Sequence, residues 1–171
     1  VTSDNGTTAL WAPDLVPIVT KLGDQVADIA LTIQVLDPQD EDYGAYRPPD
    51  SYISGFPGGV ASLLTTVYQN PDSKHYHSPA LAENIRLAVE AAERFLYEDG
   101  SIDGGSDKQC ACNSAFASGA LCDLWRRWQE IDHPAAQEIV DRSYRIIVKF
   151  GHACRTMGMM TPNHRWVACV A

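Results

Sequence analysis

Apolar side chains recur every three or four residues along most of the 171-residue chain, and this spacing is what most limits its fold. Residues so spaced share one face of an α-helix, and that face needs other elements to cover it. No segment shows the strict alternation of apolar and polar residues that is typical of a β-strand. The sequence therefore predicts an all-α chain in which successive helices form antiparallel helix hairpins.

Six helices are predicted from these stripes and from capping residues. The first is expected to end before Pro38, and the third to begin at Ser78-Pro79, a cap residue followed by proline at the first helical position. The second covers about Gly59–Gln69, the fourth begins near Asn113 or Ser114, the fifth follows Asp132, and the sixth begins at Thr161-Pro162. The stripes expected to be buried are Leu15, Val19, Leu22, Val26, Ile29, Ile33 and Leu36; Val60, Leu63, Leu64 and Val67; Leu81, Ile85, Val89, Ala92 and Leu96; Ala117, Leu121, Leu124 and Trp128; and Ile139, Ser143, Ile146, Phe150 and Cys154.

A loop of about twenty residues, Gln39 to Gly58, is longer than most helix connections and is predicted to be functional or ligand-facing. Five aromatic rings, of which Tyr43, Tyr46 and Tyr52 lie in this loop, could stack on sugars, although aromatic side chains more often pack in a core. The aromatic candidates are Trp11, Tyr43, Tyr46, Tyr52 and Tyr68.

The charge is unevenly distributed. The net charge is −9, yet residues 142–171 contain five cations and no carboxylate. An acidic body argues against general nucleic-acid binding, which needs a broad basic face, but it permits a local site for an anionic ligand. No apolar run approaches the length of a membrane span. A stripe of Arg142, Arg145, Lys149 and His152 is interpreted as a solvated outer face, with a track for a polyanion as the alternative.

The two ends suggest a processed piece of a longer chain. Val1 to Gly6 lack an initiator methionine and the features of an export signal, which we expect to have been removed already. The apolar run at Trp166–Ala171 stops without a cap, so we expect the helix to continue beyond it.

Metal and redox sites are weakly indicated. His75-Tyr76-His77 has a spacing that some metal sites use, but it lacks a clear third ligand, and loop polarity explains it as well. Cys110-Ala111-Cys112 does not have the spacing of a CxxC motif, and scattered cysteines are usually small buried apolar residues. The five cysteines cannot all pair with one another, because their number is odd. No metal and no cofactor are therefore predicted.

Two segments, Asp99-Gly100-Ser101-Ile102-Asp103 and Thr161-Pro162-Asn163-His164-Arg165-Trp166, carry a resemblance to a family. In this order they look like segments of α/α-toroid polysaccharide lyases, including heparinase-like and glucuronan- or alginate-lyase-like members. The resemblance implies that residues 1–171 form part of an (α/α) toroid, an incomplete barrel that the remainder of the chain would complete. It also implies a secreted or periplasmic enzyme that cleaves an acidic polysaccharide by β-elimination.

By this resemblance Asn163 neutralises the uronate carboxylate, and His164 is the base that removes the C5 proton or a partner of that base. Chemistry supports these roles, because donors aimed at the carboxylate stabilise the enolate that forms. Histidine titrates near neutral pH, and the first turn of a helix is a natural anion site. The family's usual acid, a tyrosine, is missing nearby, since the nearest is Tyr144.

Three further residues are expected to bind substrate. Arg165 can hold a carboxylate through two parallel hydrogen bonds, and Trp166 adjoins it. Asn113 begins the fourth helix straight after the loop that contains Asp99–Asp103, where it is expected to cap the helix and could also contact sugar. In the alternative interpretation, Asn163 is a cap, His164 lies on the surface, Arg165 pairs with an acidic residue, and Trp166 fills the core.

Other functions remain open. One is a non-catalytic carbohydrate-binding helical module. A second is a toroid glycoside hydrolase whose paired carboxylates would be Asp99 and Asp103. A terpene-cyclase-like toroid is disfavoured, because the sequence has no DDxxD or DxDD motif.

Overall fold

The computed structural model describes residues 15–48, 56–104 and 107–157. In these ranges five helices and two short strands are found. They are α1 (Leu15–Ile33), α2 (Pro57–Gln69), α3 (Pro79–Arg94), β1 (Ile102–Gly104), β2 (Asp107–Cys110), α4 (Ala111–Trp128) and α5 (Ala136–Met157). The mainly helical fold is confirmed, and the predicted sixth helix lies outside the described residues.

The prediction that the chain contains no strand is wrong. β1 and β2 pair antiparallel between α3 and α4, with Ile102 opposite Cys110 and Gly104 opposite Asp107. Strands of three and four residues are too short to show the apolar–polar alternation by which strands are recognised. The hairpin leads directly into α4, so that this helix begins at Ala111 rather than at Asn113 or Ser114.

Local signals set the other helix starts. Ser78 Oγ accepts a hydrogen bond from the Leu81 amide at 3.4 Å, and Pro79 occupies the first turn, as predicted for α3. α5 begins later than predicted, at Ala136, because the preceding residues form a turn in which His133 Nδ1 accepts from the Ala135 amide at 3.1 Å. α2 begins at Pro57, two residues earlier than predicted.

α2 and α4 lie side by side and run in the same direction. Near their carboxyl ends, Arg127 Nη1 donates to Gln69 Oε1 at 3.2 Å, and Trp128 Nε1 donates to Thr65 Oγ1 at 2.9 Å. The carboxyl ends of α2 and α4 therefore lie together. This parallel arrangement is expected of helices in one layer when two hairpins stack side by side.

α3 and α5 form a second parallel pair. Arg86 lies against Glu138 at 3.1 Å, and seven residues further along α3, Glu93 lies against Arg145 at 2.6 Å. The second ion pair lies seven residues further toward the carboxyl end of both helices, so α3 and α5 run in the same direction. The hairpins α2–α3 and α4–α5 therefore form two layers, one containing α2 and α4 and the other containing α3 and α5.

α1 continues the second layer. It is antiparallel to α2, because Asn70 Nδ2 donates to Thr20 Oγ1 at 3.0 Å while Gly23, further along α1, faces Val67, further back along α2. The residue just beyond α1, Gln34, reaches Asn84 on α3. The layers thus alternate along the chain, with α1, α3 and α5 on one side and α2 and α4 on the other.

The core lies between these layers. The stripes predicted for α3, α4 and α5 are confirmed, with Ala117 and Leu96 only partly buried and Cys154 half-buried. The largest fully buried apolar side chains of the core are Trp128, Tyr46, Phe150, Leu64, Leu81, Ile85, Leu121, Leu124, Ile139, Ile146 and Val89.

The predicted buried face of α1 is wrong. Leu15, Val19, Leu22, Ile29 and Leu36 are 43–59% exposed, and Val26 and Ile33 are only partly buried. α1 contacts α2 and α3 along the side that carries Ala27 and Ala30, and these two are its buried residues. Small residues permit a close approach there, so the bulky stripe is left facing outward. Leu63 on α2, also predicted inward, is 50% exposed next to this stripe.

A buried polar network fixes the segment after α1 to α3. Tyr46 Oη donates to Asn84 Oδ1 at 2.7 Å, Asn84 Nδ2 donates to Gln34 Oε1 at 2.8 Å, and Gln34 Nε2 donates to the Gly44 carbonyl at 3.0 Å. Gly44 has a φ of 84° and packs against the Leu87 carbonyl. This part of the predicted ligand-facing loop is therefore tied to the fold.

None of the helices in the described ranges combines the length and the apolar character needed to cross a membrane.

Candidate functional site

Of the five residues predicted to form the site, one lies in the described part of the chain. Asn163, His164, Arg165 and Trp166 fall outside it, together with the rest of the Thr161–Trp166 segment. Asn113 is described, and its surroundings define the candidate site at one end of the two layers, where the end of α3, the β-hairpin, the start of α4 and the last turns of α5 meet.

A tight turn after α3 shapes this end. The Ser101 amide and hydroxyl both donate to Asp99 Oδ1, at 2.8 and 2.6 Å. Gly100 adopts a φ of 83° and lies so close to the Lys149 carbonyl of α5 that a Cβ atom would overlap it. Only glycine meets both conditions, which explains the Asp-Gly-Ser sequence at this position.

Asn113 is not the cap that the sequence predicts. Cys110 occupies the N-cap position, without a side-chain cap hydrogen bond, and Asn113 is the third residue of α4. Its neighbour Ser114 is fully buried and donates to the Gly100 carbonyl at 3.0 Å. The extra residues of α4 arise because β2 passes straight into the helix.

The side-chain amide of Asn113 has an unused donor. Its Nδ2 atom is buried and has no hydrogen-bond partner among the described residues. An unpaired buried amide is costly, so an acceptor that reached Nδ2 would be stabilised there. It lies in the first turn of α4, where the helix end favours negative charge. The arrangement can therefore donate to a carbonyl or carboxylate oxygen.

The two carboxylates considered for hydrolysis have structural contacts. The hydrogen bonds from Ser101 hold the pKa of Asp99 below its usual value, with a smaller contribution from the charge of His152. Asp103 Oδ1 accepts from the Gln109 amide at 3.0 Å across the hairpin. A glycosidase acid needs a raised pKa, so the environment of Asp99 is of the opposite kind.

The two arginines of the basic stripe of α5 are paired with carboxylates. Arg142 donates to Glu93 at 2.7 Å and to Glu138 at 2.9 Å, and Arg145 donates to Glu93 at 2.6 Å. These contacts hold the pKa of Glu93 below its usual value, with the Arg145 hydrogen bond as the largest cause. The arrangement joins α3 to α5 and favours the solvated-face interpretation over a polyanion track.

The residues of the predicted His-Tyr-His motif make separate contacts. His75 Nε2 lies 3.0 Å from Asp28 Oδ1, and His77 stacks between the rings of Tyr68 and Tyr76. Among the described residues, no group of three potential ligands is arranged to hold a metal ion.

Two of the predicted sugar-stacking rings are core residues. Tyr46 donates a hydrogen bond to Asn84, and Tyr68 is stacked on Trp128 with ring centroids 5.4 Å apart. Tyr43 lies under the guanidinium of Arg94, 5.7 Å from its carbon. Trp11 and Tyr52 fall outside the described residues.

Two features were missed by sequence reasoning. An apolar groove of about 240 Å³ lies between α1 and α2 and is lined by residues that include Val19, Leu22 and Leu63. Cys154, expected on the inner face of α5, donates through Sγ to the Ala111 carbonyl at 3.7 Å. The second feature could not be predicted, because Cys154 and Ala111 are distant in the sequence.

Comparisons with known proteins add no family: no family model, no curated protein and no solved structure matches this chain.

Proposed function

We propose that the chain is part of an α/α-toroid protein that binds and cleaves a uronic-acid polymer by β-elimination. Asn163 and His164 are its proposed catalytic residues, and Arg165, Trp166 and Asn113 its proposed substrate-binding residues. The observation that carries the proposal is the buried, unpaired amide donor of Asn113 at the end of the layers where α5 also ends. The resemblance of the Asp99–Asp103 and Thr161–Trp166 segments to α/α-toroid polysaccharide lyases supports the same proposal.

The alternation of layers supports the toroid part of this proposal. Parallel neighbours within each layer and antiparallel neighbours along the chain are what a ring of helix hairpins requires. A partial ring has two open edges. α1 provides one, with Val19 and Leu22 exposed, and α5 contributes Tyr144 and Val148 to the other. We expect the remainder of the chain to cover these edges.

The path of the chain supports the location of the site. The last turn of α5 contacts the start of α4 through Cys154 and Ala111, next to Asn113. Asn163 and His164 follow Met157 by six and seven residues, which limits their Cα atoms to within about 25 Å of that of Met157. Both are therefore within reach of the end where Asn113 lies.

The chemistry assigns separate tasks to these groups. Asn163 and Arg165 donate to the uronate carboxylate, and Asn113 supplies a further donor to the substrate. His164 takes the C5 proton, the electrons of that bond form the C4–C5 double bond, and the C4–O bond breaks. The leaving oxygen receives a proton from an acid. Tyr144 is a poor candidate, because it lies thirteen residues before the end of α5, about 20 Å along the helix.

The test follows the unsaturated product by its ultraviolet absorbance while the exported, full-length protein is mixed with glucuronan, alginate or heparinoids. We expect a signal from one polymer, its loss in Asn163→Ala and His164→Ala, and weaker binding in Asn113→Ala. Asn70→Ala, a partly exposed asparagine at the opposite end, is the matched control and should leave activity unchanged.

The other outcomes separate the alternatives. New reducing ends without absorbance would replace the lyase by a hydrolase and turn attention to Asp99 and Asp103. Binding without cleavage would indicate a non-catalytic module. If no polymer binds, the proposal fails.

A further inference from the structure

The apolar groove between α1 and α2 has a volume of about 240 Å³ and is left open by the described part of the chain. Its walls are formed by Val19, Leu22 and Val26 of α1 and by Leu63 and Val67 of α2. Val19, Leu22 and Leu63 are each at least half exposed. Covering such side chains is favourable, so the groove is a surface for an apolar partner.

The groove is built on a close contact between the two helices. A Cβ atom added to Gly23 of α1 would lie 3.1 Å from Cγ2 of Val67 on α2. Nearer the start of α1, Asn70 Nδ2 donates to Thr20 Oγ1 at 3.0 Å. The volume of 240 Å³ is below the range of roughly 300–1,000 Å³ that is usual for small-molecule sites. The groove is therefore sized for a large side chain rather than for a free ligand.

The exposed stripe of α1 continues from the groove to the start of the helix. Leu15 lies one turn before Val19 on the same face and is 43% exposed. Residues 1–14 precede Leu15 and lie outside the described ranges. The largest apolar side chain among them is Trp11, four residues before Leu15. The apolar stripe thus leads from the groove toward this segment.

Trp11 is within reach of the groove. Its Cα atom lies no more than about 14 Å from that of Leu15, because only four residues separate them. Leu22 lies about 10 Å along α1 from Leu15. Pro13 favours an extended backbone at Ala12, so the sequence does not predict that α1 simply continues upstream. A segment attached at this distance has an effective concentration in the millimolar range, which favours it over a separate partner.

We propose that residues 9–12 fold back along α1 and place the Trp11 ring in the groove against Val19 and Leu22. Most of the indole surface is apolar, and its N–H can donate to the hydroxyl of Thr66, which also lines the groove. Four residues cover only part of the stripe, so Leu22 remains less buried than the leucines of the core. The contact specifies which part of the chain covers the α1 edge.

The test places a photoreactive group in the groove of the full chain, as Leu22→benzoylphenylalanine. Illumination and peptide mass spectrometry then identify what this position contacts, and we expect capture of the peptide that contains Trp11 of the same molecule. A straight extension of α1 would leave Trp11 about 16 Å from Leu22 along the axis, out of contact. The matched control is Val148→benzoylphenylalanine on α5, which is similarly exposed and should not capture that peptide.

Substitutions in the segment separate the ring from its neighbours. Trp11→Ala should lower the capture at Leu22 several-fold and increase the binding of an apolar dye, because the groove is then open. Trp11→Phe keeps an aromatic ring and should retain most of the capture. Thr8→Ala changes a polar residue of the same segment and should alter neither measurement. Thermal melting of each variant shows that it folds.

Three results would overturn the proposal. The first is capture of a second copy of the chain, seen as a cross-linked dimer. The second is capture of a different segment of the same chain, and the third is the absence of capture in a folded protein. None of these measurements involves a polysaccharide, so failure here is distinct from failure of the lyase proposal.

Discussion

Helices α1 and α3 belong to the same layer and both carry apolar stripes at helical spacing, but they use them differently. On α3, Leu81, Ile85 and Val89 are fully buried, whereas on α1 Leu22 is 55% exposed and Val19 58%. α3 lies between α1 and α5 and also rests on α2, while the main contacts of α1 within the described part of the chain are with α2 and α3. Periodicity thus identifies an apolar face without showing how many neighbours will cover it.

The largest expected effect comes from making the same substitution in both helices. Leu81→Ala removes a fully buried side chain and should lower the free energy of unfolding by about 2–5 kcal/mol. Leu22→Ala removes a half-exposed one and should cost less than about 1 kcal/mol. Urea unfolding of both variants measures the difference. Equal losses would show that the face of α1 is covered in solution, and oligomeric state would then be measured by light scattering.

A matched pair of glycines sharpens the contrast between packed and open positions. Gly100→Ala forces a side chain into a φ of 83° and against the Lys149 carbonyl, so we expect a loss of about 2–4 kcal/mol. Gly119→Ala in α4 meets no atom of the described residues within 4 Å and should raise stability by up to about 1 kcal/mol. Thermal melting compares them. A neutral Gly100→Ala would contradict the close packing of this turn on α5.

The hydrogen bonds that fix the carboxyl end of α1 to α3 can be removed one at a time. Asn84→Ala leaves Tyr46 Oη and Gln34 without their buried partner, which should cost about 1–3 kcal/mol. Asn70→Ala removes a partly exposed bond to Thr20 and should cost about 0.5–1 kcal/mol. Hydrogen exchange should show α1 opening more readily in Asn84→Ala. Unchanged protection there would mean that apolar contacts alone hold α1.

The smallest effect concerns the charges that join α3 to α5. Because Arg145 and Arg142 lower the pKa of Glu93, its contribution is complete above the unfolded-state value, about 4.3, and is lost as the pH falls through the lower folded value. Glu93→Gln should therefore cost up to about 1 kcal/mol at neutral pH, and the difference from the parent should shrink below about pH 4. Unfolding curves at several pH values measure it.

Asp28→Asn is the exposed comparison for this pH series, since Asp28 pairs with Lys74 and His75 on the surface and these contacts also lower its pKa. Its loss of stability should show the same pH dependence as that of Glu93→Gln but should be smaller, because water and salt screen an exposed pair. A difference for Glu93→Gln that does not change with pH would contradict the electrostatic origin.

The sequence predicts those parts of the fold that depend on local signals. Ser78-Pro79 marks the start of α3, and Leu121, Leu124 and Trp128 mark the inner face of α4. What it misses depends on distant contacts. Ala27 and Ala30 become the buried side of α1 only because α2 and α3 approach there, and no local pattern indicates this.

The candidate site is predicted less completely than the fold. Asn113 was expected as a cap, but β2 continues directly into α4 and places it in the third position. Asp99 looked like a potential acid, yet the Ser101 hydrogen bonds stabilise its charged form. The first outcome depends on a hairpin whose strands are too short to be recognised from periodicity, and the second on the turn from Asp99 to Ser101. The Thr161–Trp166 segment remains a prediction.

The direct passage from β2 into α4 leaves no hinge between strand and helix, since Cys110 ends one and Ala111 begins the other. Because no linker separates the two elements, a displacement of β2 acts directly on the first turn of α4. A ligand that moves the hairpin would therefore tilt α4, and Trp128 at its far end would report that movement through its fluorescence.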